Sequence, residues 1–92
     1  MYINNEWVKS KEEIYNDDGS RIVTSYEVNE DGIYTKREEK TYIDSELSTK
    51  IESEYVENEW VYKFKYEYIH NEADNSTKIV LYYYSEGEWV LA

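Results

Sequence analysis

The sequence predicts an all-β fold, an antiparallel β-meander of about seven or eight strands joined by short hairpins. Three observations support this class. Aromatic and polar residues alternate strictly along residues 60–69. Short polar turns containing Asn, Asp or Gly recur between such stretches. The composition also favours strands, because the chain has 12 tyrosines and no proline, whereas leucine and alanine, which build helical cores, are scarce.

The clearest strand covers residues 60–69. Because the side chains of a strand point alternately to its two sides, residues at every second position are predicted to share a face. The aromatic residues at such positions are Trp60, Tyr62, Phe64, Tyr66 and Tyr68. The opposite face is expected to contact water, since it carries Lys63, Lys65 and Glu67.

Two hairpins are predicted before this strand. Each contains an Asp-Gly pair, which supplies the positive φ that a tight turn needs. The predicted turns are residues 16–19 and 29–32. The strands that flank them are residues 7–15, 21–28 and 33–43.

The strand at residues 33–43 is the least typical, because its interior is polar on both faces. A helix is the competing interpretation, since Lys36 and Lys40 are four positions apart. The lack of an apolar stripe argues against a helix.

Further strands are predicted at residues 47–56, 77–85 and 89–92. In the first of these, Leu47, Ile51 and Tyr55 are expected on one side. Residues 70–76 form the longest predicted loop.

The same polar strand bears on how the sheet is arranged. In a closed barrel, either Arg37 and Glu39 or Lys36, Glu38 and Lys40 would point inward, and each unpaired buried charge costs several kcal/mol. We therefore predict an open, twisted sheet that is partly single-layered, with residues 1–92 as one domain. A small closed β-barrel, with its rim at residues 36–40, is the alternative.

A repeat underlies the predicted strands. Trp7, Ile33, Trp60 and Trp89 each follow a polar turn, at spacings of 26, 27 and 29 residues. The unit is a two-stranded hairpin of about 27 residues, a length typical of repeat architectures. The chain holds three such hairpin repeats and opens a fourth, so we expect a piece of a longer array or an array with minimal caps.

The segment Tyr15-Asn16-Asp17-Asp18-Gly19 carries a resemblance. It resembles tandem β-hairpin repeats of bacterial secreted and surface proteins, and it is similar to the tyrosine–aspartate repeats of Rhs-type proteins, in which Tyr-Asp precedes a Gly turn. Tyr42-Ile43-Asp44 departs from this pattern because it lacks the Gly. The resemblance implies a repeat architecture and extracellular or cell-surface display, and it implies no functional residue.

The formal net charge of −11 limits the classes of partner. Nucleic acid and anionic membranes would repel this surface, whereas a basic protein or a cation is compatible with it. No apolar run approaches the ~20 residues of a membrane helix, so no membrane insertion is expected. No signal peptide is recognised, and the chain has no cysteine for disulfides or thiol chemistry.

No residue pattern predicts catalysis or a cofactor. His70 is the only histidine, and no nucleophile accompanies it in a recognisable motif. Residues 27–38 match the ligand spacing of an EF-hand loop, but Glu27 replaces the first Asp and the flanks are predicted strands rather than helices. We therefore predict a protein that is not an enzyme and has no metal site.

The aromatic residues allow two interpretations, a core or a face that binds glycan or peptide, and a core is favoured because aliphatic residues are few. The set is Trp60, Tyr62, Phe64, Tyr66, Tyr68, Tyr83 and Trp89. The leading functional hypothesis is a non-enzymatic structural or adhesive repeat module of a bacterial surface or secreted protein. The alternatives are a binding module that uses the aromatic face, and an acidic immunity or inhibitor protein for a basic partner.

Self-association through sheet edges is also predicted. The terminal stubs at residues 1–3 and 89–92 are too short to cover the strands beside them. Residues 79–84 combine high β-propensity with no charge and no proline, a composition that pairs with other chains.

Overall fold

A computed structural model describes residues 2–3 and 5–92 of the chain, and within them it has nine strands and no helix. The strands are β1 (Tyr2–Ile3), β2 (Glu6–Trp7), β3 (Lys11–Tyr15), β4 (Arg21–Val28), β5 (Tyr34–Ile43), β6 (Glu46–Val56), β7 (Glu59–Asn71), β8 (Ser76–Ser85) and β9 (Glu88–Leu91). All paired strands are antiparallel, as predicted.

The strands from β3 to β9 form one seven-stranded sheet in sequence order, while β1 and β2 form a separate two-stranded sheet. The large sheet is open, because β3 lies at one edge and β9 at the other. The predicted open meander is therefore confirmed, and the barrel is not formed. The molecule is flat, with extents of 52 × 32 × 21 Å.

Two strand boundaries differ from the prediction. The predicted strand at residues 7–15 is divided into β2 and β3. Ser10, which lies in the gap between these two strands, still accepts a hydrogen bond from the Tyr26 N–H of β4 at 2.9 Å. The last predicted loop is shorter, because β7 continues through His70 to Asn71. Met1, part of the predicted N-terminal edge, lies outside the described residues, and the N-terminal edge of the large sheet is β3.

Three hairpins close with two-residue turns that have positive φ at both residues. The φ values are 51° and 69° at Asp44 and Ser45, 50° and 67° at Glu57 and Asn58, and 50° and 83° at Glu86 and Gly87. Positive φ at both central residues is the signature of the type I′ turn, whose twist matches that of the paired strands. These turns therefore fix the register of β5–β6, β6–β7 and β8–β9.

The two Asp-Gly loops share one geometry. In the first, the Asn16 N–H donates to the Ser20 carbonyl at 2.9 Å, and the Gly19 N–H donates to the Asn16 carbonyl at 3.2 Å. The second loop, which begins at Asn29, repeats both bonds at 2.9 and 3.0 Å. Gly19 and Gly32 have φ of 89° and 77°, a region that glycine enters without a steric penalty.

A β-bulge in β7 changes the predicted faces of the central strand. Glu52 pairs with Phe64 while the next residue, Ser53, pairs with Tyr62, so Lys63 is an extra residue in β7. The alternation shifts by one position there. Trp60 and Tyr62 lie on one side of the sheet, which we call the front face, whereas Phe64, Tyr66 and Tyr68 lie on the other, the back face. The prediction that these five aromatic residues share a face is wrong.

Two more bulges insert Thr35 into β5 and Ser48 into β6. Because of the second, Leu47 lies on the back face, whereas Ile51 and Tyr55 lie on the front face. The predicted common side of these three residues is therefore also divided.

The single layer leaves no conventional core. None of the hydrophobic side chains that the structure describes is buried, and only Thr24 and Ser53 are, at 8% and 2% exposure. The prediction that the aromatic residues form a buried core is wrong, because no second layer covers either face. Phe64 and Tyr83, for example, remain 42% and 43% exposed.

The polar centre of β5 is paired along the strand. Arg37 Nε lies 3.3 Å from Glu39 Oε1, and Lys40 Nζ lies 3.1 Å from Glu38 Oε1. Partners two positions apart share a face, so each face of β5 carries its own ion pair. All four side chains stay partly exposed, and none of these charges is left alone in an apolar interior.

Candidate functional site

Four aromatic residues on the front face form the first of two ring clusters, which we call the Trp60 cluster. Its members are Tyr26, Tyr34, Tyr55 and Trp60. The Trp60 ring centroid lies 5.0 Å from that of Tyr55, 5.8 Å from that of Tyr34 and 5.9 Å from that of Tyr26. Tilted and edge contacts at these distances are the favourable arrangements for aromatic pairs.

Arg37 extends the Trp60 cluster. Its guanidinium carbon lies 4.7 Å from the Trp60 ring centroid, within the range of a cation–π interaction. Ser53 pairs with Arg37 on one side and with Tyr62 on the other. Its small side chain leaves room for the larger groups around it, which bury it almost completely.

The second cluster, which we call the Trp89 cluster, consists of Tyr62, Tyr84 and Trp89. Its three ring centroids are 5.1–5.4 Å apart. Lys65 adds a cation, with Nζ 5.3 Å from the Trp89 ring and 4.8 Å from the Tyr82 ring. The bulge at Lys63 makes this possible, because it puts both Tyr62 and Lys65 on the front face.

A Tyr–Trp pair recurs across each of three tight hairpins. The pairs are Tyr2–Trp7, Tyr55–Trp60 and Tyr84–Trp89, with centroids 4.9, 5.0 and 5.1 Å apart and interplanar angles of 67°, 65° and 73°. In each pair the tyrosine precedes the tryptophan by five residues. The tryptophans predict the repeat from the sequence, whereas the tyrosines of these pairs were not predicted, although their constant spacing from the tryptophans was an available signal.

The back face carries the other part of the predicted binding set. Phe64, Tyr66, Tyr68 and Tyr83 lie there with Leu81 and Val90. Lys50 Nζ lies 4.4 Å from the ring of Tyr66, its register partner in β7. The structure therefore divides the predicted aromatic set, with Trp60, Tyr62 and Trp89 in front and the remaining four residues behind.

Directly paired residues often join a cation to an aromatic ring. Besides Lys50 and Tyr66, Arg21 lies 4.5 Å above the ring of its register partner Tyr42, and Lys65 pairs in the same way with Tyr82. The Tyr82 hydroxyl is also hydrogen-bonded to Glu67, which raises the pKa of that hydroxyl. Such contacts hold the cations on the sheet and shield the ring faces from water.

His70 has a structural environment. Its Nδ1 lies 3.1 Å from Thr77 Oγ1, and its Nε2 lies 3.1 Å from the Leu47 carbonyl oxygen. A neutral ring can meet both partners, accepting from the threonine hydroxyl at Nδ1 and donating from Nε2. The side chain thus connects β7 with β6 and β8.

The EF-hand-like segment does not have the geometry of a calcium loop. Glu27 belongs to β4 and Glu38 to β5, so strands flank the turn. Asn29 Oδ1 accepts hydrogen bonds from the Asp31 N–H at 2.9 Å and the Ile33 N–H at 3.0 Å. The asparagine closes the hairpin turn, and over residues 2–3 and 5–92 no cluster of ligand side chains suits a metal ion.

The β8 edge is only partly covered. β9 pairs with residues 82–85 of β8, and the Ala92 N–H donates to the Leu81 carbonyl at 2.9 Å. Residues 76–80 pair with β7 on one side and have no strand of this chain on the other, among the strands described. Within the described chain, β9 thus covers only one part of β8.

Comparisons of the chain with protein-family models, with curated proteins and with solved structures found no match. The part of the chain that the structure describes has no helix long and apolar enough to cross a membrane.

Proposed function

We propose that this chain is a non-enzymatic structural or adhesive repeat module of the bacterial surface or secreted type. The observation that carries the proposal is a recurring hairpin in which a Tyr–Trp pair, with ring centroids 4.9–5.1 Å apart, lies across a tight turn. Two of these hairpins belong to the open seven-stranded sheet, and the third is the separate sheet of β1 and β2. Each unit contacts mainly its neighbours, so the design is suited to an extended surface rather than to an enclosed site.

The single layer suits a spacer or a contact surface. The molecule has extents of 52 × 32 × 21 Å, and both faces of the sheet are in contact with solvent. The charged side chains on both faces keep it soluble, with a net charge of −11. The ring clusters and cation–ring contacts stiffen a sheet that has no second layer to support it.

The enzymatic alternative is tested by screening the purified chain against hydrolase substrates, with His70→Ala as the matched variant. We expect no turnover from either protein, because both ring nitrogens of His70 are engaged in contacts with Thr77 and Leu47. Turnover by the parent chain that disappears in the variant would overturn the proposal.

The repeat character is tested by single-molecule pulling from the two termini. Release of one hairpin unit of about 27 residues should lengthen the chain by about 90 Å, since an extended residue spans ~3.3–3.6 Å. A series of such steps is expected from hairpins stabilised by their neighbours. A single cooperative rupture of the whole sheet would contradict a repeat module.

A binding module is the second candidate, and the exposure of the front aromatic residues favours it. Tyr62 is 41% exposed and Trp60 and Trp89 are half-buried, so a planar sugar or a peptide side chain can reach the rings. Titration with a glycan panel, followed by NMR, tests this function. Tyr62→Ala should remove the shifts, while Tyr83→Ala, an equally exposed ring on the back face, should keep them.

An acidic inhibitor of a basic protein is the remaining alternative, and the net charge of −11 is its support. Affinity capture from the source cell at low and high salt tests it. Recovery of a basic protein only at low salt would favour this function over the structural module.

A further inference from the structure

Two polar atoms on the front face of the sheet are buried and have no hydrogen-bond partner in the part of the chain that the structure describes. They are the Ser53 hydroxyl and Arg37 Nε, on directly paired residues of β6 and β5. Arg37 Nε lies 3.3 Å from Glu39 Oε1, in an ion pair that lacks the geometry of a hydrogen bond. Since buried polar groups are nearly always hydrogen-bonded, an unpartnered hydroxyl on a residue that is only 2% exposed calls for an explanation.

Ser53 lies between the two ring clusters. Its register partner on β7 is Tyr62, which belongs to the Trp89 cluster and is 41% exposed. From the other side, Arg37 crosses β6 to reach Trp60, with its guanidinium carbon 4.7 Å from the ring centroid. Trp60 and Tyr62 are two positions apart on the same face, so they are about 7 Å apart along the strand. The hydroxyl is thus covered by neighbouring side chains at a place where two aromatic residues meet.

We propose that this part of the front face binds a neutral hexose unit of a glycan. We call it the Ser53 site, and it consists of Arg37, Glu39, Ser53, Trp60 and Tyr62. The sugar replaces the Arg37 guanidinium over the Trp60 ring, and its hydroxyls bond to Arg37, Glu39 and the uncovered Ser53. The inference rests on the binding function proposed above for the front face, to which it adds the class of ligand and the polar contacts.

The polar groups of the Ser53 site match a sugar. One face of a hexose ring carries C–H groups that stack on an aromatic ring, whereas the hydroxyls at its rim both donate and accept hydrogen bonds. The site offers a planar cation that donates, a carboxylate that accepts and a hydroxyl that does both, at Arg37, Glu39 and Ser53. Aromatic surface with a few placed polar groups is the usual composition of a small-ligand site. An apolar peptide side chain would leave these polar groups unsatisfied.

The charges favour a neutral sugar over an acidic one. Arg37 and Glu39 cancel each other within the site. Lys65, which follows on the same face of β7, has its Nζ 3.9 Å from Glu67 Oε1. The site therefore has no net positive charge for a carboxylate or sulfate group, and the net charge of −11 repels an acidic polysaccharide.

Opening the site requires only the Arg37 side chain to leave Trp60. This side chain is 19% exposed and is held by one ring contact and one ion pair. A hexose replaces the ring contact by stacking on the indole, and its oxygens accept the hydrogen bonds that Arg37 does not make in the closed site. The exchange leaves the strands in place.

The chain has only two arginines, so NMR of arginine side chains tests the site directly. Arg21 is the internal control, because it lies 4.5 Å above the ring of Tyr42 and also has an unpartnered Nε, but on the back face. The isotope-labelled full chain is titrated with neutral hexose oligosaccharides, with uronic acid oligosaccharides and with peptides rich in aromatic residues. The neutral sugars should shift the Nε–H signal of Arg37 and leave that of Arg21, with a dissociation constant of the order of 1 mM.

Ser53→Ala separates binding from folding. Removing an unpartnered buried hydroxyl should leave the urea midpoint unchanged or raise it, whereas the affinity for the sugar should fall about fivefold through the loss of one hydrogen bond. Arg37→Lys keeps the charge but loses the planar fork, and it should weaken binding about tenfold, while Arg21→Lys should not change it. Neutral-sugar binding that neither Ser53→Ala nor Arg37→Lys weakens would place the sugar elsewhere and overturn the proposal.

The three probe classes distinguish a wrong ligand from a wrong function. Binding confined to uronic acids or to peptides would overturn the inference and leave the binding function of the front face in place. No binding by any of the three classes, at concentrations well above the expected dissociation constant, would overturn both. Equal shifts at Arg21 and Arg37 would show contact with the sheet in general and would also contradict a defined site.

Discussion

Three tryptophans occupy the same position of the repeated hairpin but have different surroundings. Trp60 contacts three aromatic rings and the Arg37 guanidinium. Trp89 contacts two rings and the Lys65 ammonium. The ring partner of Trp7 is Tyr2, and Trp7 is 81% exposed. Replacing each by alanine should therefore destabilise the protein in the order Trp60, Trp89, Trp7.

The size of each effect follows from the covered area. A tryptophan side chain offers about 200 Å² for burial, and each Å² is worth about 25 cal/mol. Trp60 and Trp89, both half-buried, should cost about 3 and about 2–3 kcal/mol respectively when truncated. Trp7, covered over about a fifth, should cost about 1 kcal/mol.

Urea denaturation followed by far-UV circular dichroism measures these losses, since removing one of the three tryptophans would itself change the fluorescence signal. The free energies of unfolding should be compared at constant m-value, so that the change reflects stability rather than the compactness of the unfolded chain. Equal losses for Trp60→Ala and Trp7→Ala would refute the argument that neighbouring rings, rather than the hairpin position, set the contribution of each tryptophan.

Three further predictions concern the turns, the pH dependence and the shape. Gly87→Asn should be nearly neutral, because Asn58 holds the equivalent turn position at φ 67°, whereas Gly87→Val should cost about 1–2 kcal/mol in urea denaturation. The Ser20 and Ser76 hydroxyls hydrogen-bond the carboxylates of Asp18 and Asp74 at 2.6 Å and lower the pKa of each carboxyl below its ordinary 3.8. The stability that these bonds contribute is present above pH 3.8 and is lost as the pH falls below that value. The melting temperature should therefore first rise as the pH is lowered from neutrality toward the isoelectric point near 4.4, because repulsion between the negative charges is relieved. At still lower pH it should fall, because the two carboxylates become protonated. Small-angle scattering at low salt should give a radius of gyration near 15.6 Å, whereas a compact chain of this length would give about 12.3 Å.

The strand order and the turns could be predicted because local signals decide them. Alternation identifies the strands, and Asp-Gly pairs or Asn-containing turns identify the connections. The position at which the alternation changes face could not be predicted, and so neither could the face on which each residue of β7 lies. Residues 61–65 alternate without interruption, yet the bulge at Lys63 moves Phe64 to the face opposite Tyr62. In a sheet with one buried face, burial would fix the phase; here both faces contact water and nothing in the pattern marks the bulge.

The residues of the candidate site could be predicted from the sequence, but the face on which each of them lies could not, because the alternation does not show the bulge. The aromatic residues named from the sequence do lie on the sheet surface, but the bulge divides them between two faces. The Tyr55–Trp60 and Tyr84–Trp89 contacts need only hairpin geometry and were therefore open to prediction from spacing. The contact of Tyr62 with Trp89 depends on the bulge and was not.

The large exposed surface makes the contacts between side chains on adjacent strands important for the stability of this sheet. A compact protein of 11.2 kDa exposes about 5,700 Å², whereas this chain exposes 6,964 Å². The hydrophobic contribution is therefore smaller and is spread over many half-covered side chains rather than concentrated in a core. Because no second layer covers the described sheet, contacts between a cation and a ring, or between two rings, remove apolar surface from water that would otherwise stay exposed. The sheet is thus held together by pairs of side chains on adjacent strands rather than by a core.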